Sequence, residues 1–299
     1  MHMSSSLFLR SGFSVILFMT AASALAQTAN ASAPSGRERY DEPRFRMGLH
    51  FLPSASWLDA RDTHTASQGG IARFGFGFTA DIMFADNYAI GTGVNVFRNG
   101  GKLTFYDRLT GDPEDLANDS TQFLVQRNRT LTQHWVEIPL TLKFRTRQIG
   151  HITYWGQFGF GLGLNLRSTA SDLVDYRYRG DDDGMGGLIW TEETTIAAAN
   201  NGVVEMQDLP VEDEVSLIRA AMIVGLGIEY NLSGKTALLL GATFNNGLFN
   251  VSNNRNFGEG QRQDHIQPAL DGSLDPAAAE GYEIKMVDNA ILFSCGLLF

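Results

Sequence analysis

Eight ionisable residues sit where enclosed charge chemistry could be built. Arg46, Arg73, Lys143 and Arg219 are basic; Asp81, Glu137, Glu229 and Asp288 are acidic. Each falls on the small, polar side of a segment whose other side is apolar. Four against four is neutral. Groups gathered this way either pair in a salt-bridge network or line a path for protons or ions. An unpaired buried charge is costly, so the expectation is a paired interior network.

Other chemistry is thinner. His134 lies at a strand end near acidic loops, but no serine stands at a recognisable spacing and no G-x-S-x-G occurs. Asp181-Asp182-Asp183-Gly184 is oxygen-rich but lacks the spaced ligands of a calcium loop. The single cysteine, Cys295, excludes an internal disulfide and a cysteine-built metal site. Gly159, Gly161 and Gly163 recur every second residue, which is a smooth wall and not a phosphate-binding turn. No cofactor, metal or catalytic residue is expected.

The elements that must position these groups are strands. In 152–166 (ITYWGQFGFGLGLNL), Ile152, Tyr154, Phe158, Phe160, Leu162, Leu164 and Leu166 alternate with small or polar residues. A period of two puts alternate side chains on opposite faces of a strand. One face is greasy and the other nearly bare, which fits lipid outside and a crowded interior inside. The same alternation recurs from Phe45 to Trp57, Phe74 to Phe84, Tyr88 to Phe97, Trp135 to Phe144, Ile218 to Tyr230, Leu238 to Phe244 and Ile291 to Phe299. Eight strands result, or ten if the segment 167–216 contributes a hairpin through Val174–Arg179 and Leu188–Thr195. Short turns (85–87, 145–151, 231–235) alternate with long polar segments (59–70, 107–133, 167–216, 250–283). That asymmetry predicts an all-β, closed antiparallel up-and-down transmembrane barrel, with short periplasmic turns and long extracellular loops. A soluble sandwich explains the alternation but not the loop asymmetry. Trp57, Tyr88, Trp135, Tyr154, Trp155 and Tyr230 are girdle candidates, although parity turns Trp135 and Trp155 inward.

The N-terminus fits this location. Arg10, an apolar run from Phe13 to Ala22 and Ala24-Leu25-Ala26 read as a secretory signal (1–26) cleaved after Ala26. Residues 27–43 read as a periplasmic linker and 44–299 as the barrel. With 23 basic against 33 acidic residues, the chain lacks the basic footprint that nucleic acid requires.

The run His134 to Arg145 (HWVEIPLTLKFR), followed by the glycine-alternating strand, resembles the PorT-like outer-membrane β-barrel family of Bacteroidota. The resemblance makes Glu137, Ile138 and Pro139 signature positions of a structural kind. Separately, Phe299, closing an alternating strand, resembles the terminal signal by which the barrel-assembly machinery recognises outer-membrane barrels. The family resemblance implies a cell envelope and, for some members, secretion or gliding; it does not add a reaction.

The expectation is therefore a non-catalytic outer-membrane barrel in contact with lipid, whose loops or rim bind an envelope protein partner, as an accessory to secretion or surface-protein assembly. The alternatives are a narrow channel for small solutes or ions and a rim enzyme of lipase, deacylase or protease type.

Overall fold

The computed structural model describes residues 44–62, 65–110, 121–182, 184–185, 187–192, 203–253 and 284–299. The expected signal and linker therefore lie outside the described residues. Ten strands follow in chain order: β1 (Phe45–Ala60), β2 (Ala66–Ala85), β3 (Tyr88–Thr110), β4 (Gln122–Arg145), β5 (Ile152–Asp182), β6 (Leu188–Glu192), β7 (Val203–Pro210), β8 (Ile218–Ser233), β9 (Thr236–Gly247) and β10 (Met286–Leu298).

Eight of them form a closed antiparallel ring, β1-β2-β3-β4-β5-β8-β9-β10, sealed by β1 on β10. Closure leaves no strand edge in lipid, which is what a bilayer demands of a sheet. At the seam Gly48 faces Leu298. Met47 and Phe299 exchange both backbone hydrogen bonds, at 3.0 and 2.7 Å. Phe299 itself is half exposed on the outer wall.

The alternation resolves as the sequence implies. Phe76, Leu140, Phe160, Leu162 and Phe293 are exposed on the outer wall. Ten or so residues per tilted strand suffice to cross a bilayer, and the apolar run of β5 from Ile152 to Leu166 exceeds that. Tyr88, Tyr154 and Tyr230 stand exposed near the short turns, where amphipathic rings suit the interface. Trp135 and Trp155 are buried inside, as their parity indicates.

Two predicted loops are instead strand. β3 runs on to Thr110 and β4 starts at Gln122, so most of 107–133 is paired backbone. β5 continues to Asp182, and its far edge is shared in turn by β8, β7 and β6. The eight-strand reading holds for the ring; of the hairpin expected from Val174–Arg179 and Leu188–Thr195, the first half is a continuation of β5 and the second is β6, and β7, outside that expectation, completes the ten strands of the sheet. Alternation persists in these extensions, with Leu103, Phe105 and Leu131 buried inward. Their outer face carries Gln126, Asn128 and Thr130 because it meets water, which made the stretch look like loop. Beyond Leu166, β5 adds sixteen residues, about 50 Å of strand. Phe123, Val125, Val174 and Tyr176, with Val204 and Met206, give this ledge its own small core.

Candidate functional site

The interior is the place where sequence-predicted groups converge. Along β4 the inward side chains follow one another from the periplasmic end as Arg145, Lys143, Thr141, Pro139, Glu137, Trp135, Gln133, Leu131 and Arg129. These positions define layers.

In the lowest layer, Glu229 receives three cations: Arg46 at 2.6 Å, Arg145 at 2.7 Å and Lys143 at 3.0 Å. Lys143 Nζ also donates to Asp81 Oδ2 at 2.6 Å. Above it, Lys143 lies 5.0 Å from the centre of the Trp155 ring, and that ring rests on bare backbone. A Cβ at Gly227 or Gly241 would come within 2.6 or 2.3 Å of Trp155 Cζ2. A cavity of about 70 Å³ follows, walled in part by His50, Asn95, Pro139, Thr141, Gln157 and Thr243. By volume it is room for a few waters.

The next layer is built on Arg219. Its guanidinium reaches Glu137 Oε2 and Asp288 Oδ2, both at 2.7 Å, and donates to Asn245 Oδ1 at 2.7 Å. Asn245 Nδ2 donates to Glu137, and Asn99 Nδ2 to Asp288 Oδ2. All three ionic side chains are at most 1% exposed. Arg219 also lies 5.8 Å from the Trp135 ring and 5.9 Å from Phe97. Leu58, Phe97, Leu103, Phe105, Leu131 and Trp135 then begin an apolar plug that continues to Ile284 and Met286.

Seven of the eight predicted groups thus join these two layers. Arg73 does not. Its ladder to β1 is unbroken, with Ser54 opposite, but between Gly69 and Gly75 the pairing of β2 with β3 lapses, and the long side chain leaves through that gap. Its guanidinium donates to Thr132 Oγ1 and the Ala72 carbonyl, lining a depression with Arg98, His134 and Arg167. Its place in the count of four cations is taken by Arg145, read from sequence as the start of a turn. Extending the odd-numbered parity of Glu137 and Lys143 by one step would have found it.

A third cluster escaped the sequence reading because it lies in the supposed loops. Asp172, fully buried, takes Arg129 through both carboxylate oxygens at 2.8 Å and Arg127 at 3.1 Å. Arg127 Nε lies 3.0 Å from Asp107, and Arg129 also contacts Glu214. Burial works against the charge on Arg129, but its bonds to Asp172 and the field of Glu214 and Asp107 more than offset it and raise its pKa. Burial pushes the Asp107 carboxyl up, against the pull of Arg127.

The signature positions are structural. Glu137 accepts from Arg219, Ile138 is exposed to lipid and Pro139 faces the cavity opposite Gly161. Pairing of β3 with β4 steps from Thr92–Leu140 to Asn95–Glu137, passing over Pro139, whose nitrogen cannot donate. His134 is flanked by arginines on both sides of its row. Asp181 bonds Arg179, and Asp183 lies outside the described residues. No group of three metal-ligating side chains occurs among the described residues.

A closed, lipid-facing, interior-packed ring of eight strands is an outer-membrane barrel. The sequence matches the family described as outer membrane protein beta-barrel domain over residues 26–253, and the chain belongs to it. Solved structures similar to it include the attachment invasion locus protein Ail of Yersinia pestis with the heparin analogue sucrose octasulfate. That pair has 8% identity and TM-score 0.32, covering 86% of this chain and 100% of the other. Neisserial surface protein A aligns at 8% identity and TM-score 0.34, over 86% and 96% of the two chains. OprG of Pseudomonas aeruginosa aligns at 10% identity and TM-score 0.33, over 85% and 93%. A search of curated proteins found no match.

Proposed function

We propose that this outer-membrane protein is a sealed, non-catalytic barrel that works through its outside, as an envelope interaction partner. The observation that carries the reading is the filling of the interior: two ionic layers and an apolar plug stand in series across the bore. A bore blocked on either side of one small cavity has no continuous water to conduct through, and its charges are engaged with one another. What remains for contact is the exterior, including the ledge formed by the ends of β3, β4 and β5 with β6 and β7. The PorT-like strand pattern, with Glu137, Ile138 and Pro139, supports an accessory role in secretion or surface-protein assembly. His134, hemmed by cations, supports no rim catalysis. In-cell photocrosslinking tests the reading, with the crosslinking residue placed at Leu173, Ile189 or Leu248, all exposed. Recurrent capture of one envelope protein is the expected result; capture of lipid and abundant neighbours alone overturns it.

A further inference from the structure

Outside the barrel, three cations line up where the apolar belt stops. Arg98 on β3 is register partner to His134 on β4, and His134 to Arg167 on β5. The bulge that skips from Asn165 to Arg167 opposite Trp135 and His134 brings Arg167 into this row. Arg73 reaches the same spot from β2 through its bond to Thr132. Two positions nearer the membrane centre runs a wholly apolar row, Phe76–Val96–Val136–Leu164, again one register across four strands. The basic row therefore stands at the first polar level above the lipid-facing wall, on the side of the long loops. The arginines and His134 face a shared depression of about 510 Å³.

Such a row is unexpected on physical grounds. Like charges in neighbouring strand positions repel, and this chain has ten more acidic than basic residues to choose from. Among the described residues no carboxylate forms a salt bridge with Arg73, Arg98 or Arg167; Asp208 is the acidic member of the lining. Arg98 is instead held over the Phe74 ring, 5.6 Å from its centre, which keeps its guanidinium at the edge of the belt.

We propose that this row is a binding site for the phosphate of an outer-leaflet glycolipid, whose acyl chains lie on the apolar row beneath. Arginine forks match phosphate oxygens in pairs, and a bound phosphate removes the repulsion that the row otherwise carries. An amphiphile satisfies both rows at once, whereas a free anion leaves the apolar one unused.

The test uses the whole protein, folded and purified in detergent, with bis-phosphorylated lipid A and the same lipid stripped of its phosphates as probes. Binding is read by native mass spectrometry. The parent protein is expected to retain the phosphorylated lipid and to discriminate against the stripped one, a comparison that depends on no variant. The triple variant R73Q/R98Q/R167Q, checked for folding by its heat-modifiable mobility, is expected to bind about a hundredfold more weakly, at roughly fivefold per arginine. Equal retention of the two lipids by the parent protein overturns the proposal. So does unchanged binding by the folded variant. Displacement of the lipid by inorganic phosphate at equal concentration overturns the lipid as the source.

Discussion

Glu137 on β4 and Arg219 on β8 meet at 2.7 Å across an intervening strand, passing over Gly163, the residue in register with both. A glycine beside the pair gives it room: a Cβ at the neighbouring Gly161 would come within 2.7 Å of Glu137 Cδ, while one at Gly163 would press on the Trp135 ring at 3.3 Å. Interior glycines in this barrel are seats for the long side chains beside them.

Arg219 neutralises two buried carboxylates at once. Arg219→Met leaves Glu137 and Asp288 without a cation and is expected to cost about 3–5 kcal/mol. Adding Glu137→Gln and Asp288→Asn should return most of that loss. Urea unfolding in phospholipid vesicles, followed by tryptophan emission, checks both steps; a full-size loss in the triple variant would rule out charge as the cause.

Trp155 fills the lower bore because Gly227 and Gly241 leave its ring room. Gly241→Val should force the ring out of place at about 1–3 kcal/mol. Emission from Trp155, isolated by replacing the other three tryptophans, is expected to shift to the red. An unshifted spectrum would mean the ring has another berth.

The filled bore predicts electrical silence. Purified protein in planar bilayers should give no stable open steps, whereas Arg219→Ala with Glu137→Ala opens the middle layer and should raise the frequency of brief steps. Large, steady conductance from the parent would count against the layered seal.

Asp172 is the shared acceptor of Arg127 and Arg129 on the extracellular ledge. Asp172→Asn leaves Arg127 with Asp107 alone and Arg129 with Glu214 alone, and losing the shared charged acceptor should cost about 1.5–3 kcal/mol locally. Hydrogen exchange is the measurement: amides of 122–130 and 169–176 should lose protection while those of 136–144 keep theirs. Uniform loss along β4 would place the effect in the whole barrel.

Asp107 gives a pH dependence with a definite sign. Burial raises its carboxyl above the ordinary 3.8, so the folded state holds that proton more tightly than the unfolded chain. The stabilisation this supplies is complete below 3.8 and is lost as pH rises through the raised value. Asp107→Asn has no such dependence. The stability of the parent relative to the variant should therefore fall as pH climbs from about 3 to 7. A rise over that interval would show that Arg127 outweighs burial.

Much of this was legible in the chain because alternation reports which face is greasy. The apolar sides of all eight wall strands, the inward turn of Trp135 and Trp155, and the inward turn of Glu137, Arg219 and Asp288 follow from parity alone; that these three meet at one level is set by register, which parity does not carry. Parity alone falls short in two places: Arg73 keeps its register with β1 but reaches out through the gap to β3 between Gly69 and Gly75, and Arg167 turns outward at the bulge after Asn165. The ledge was hidden for another reason. Above the lipid a strand needs no greasy outer face, so Gln126, Asn128 and Thr130 read as loop although their backbone is fully paired.

The seam has a kinetic consequence. Gly48 finds its partner only at Leu298, so the first strand made waits through the synthesis of nearly all the others with one edge bare. Pairings so distant in sequence are slow to form, and bare edges recruit other chains. Until closure, that bare edge is a template on which another chain can pair, and the seam between β1 and β10 removes it only when both ends of the wall have met.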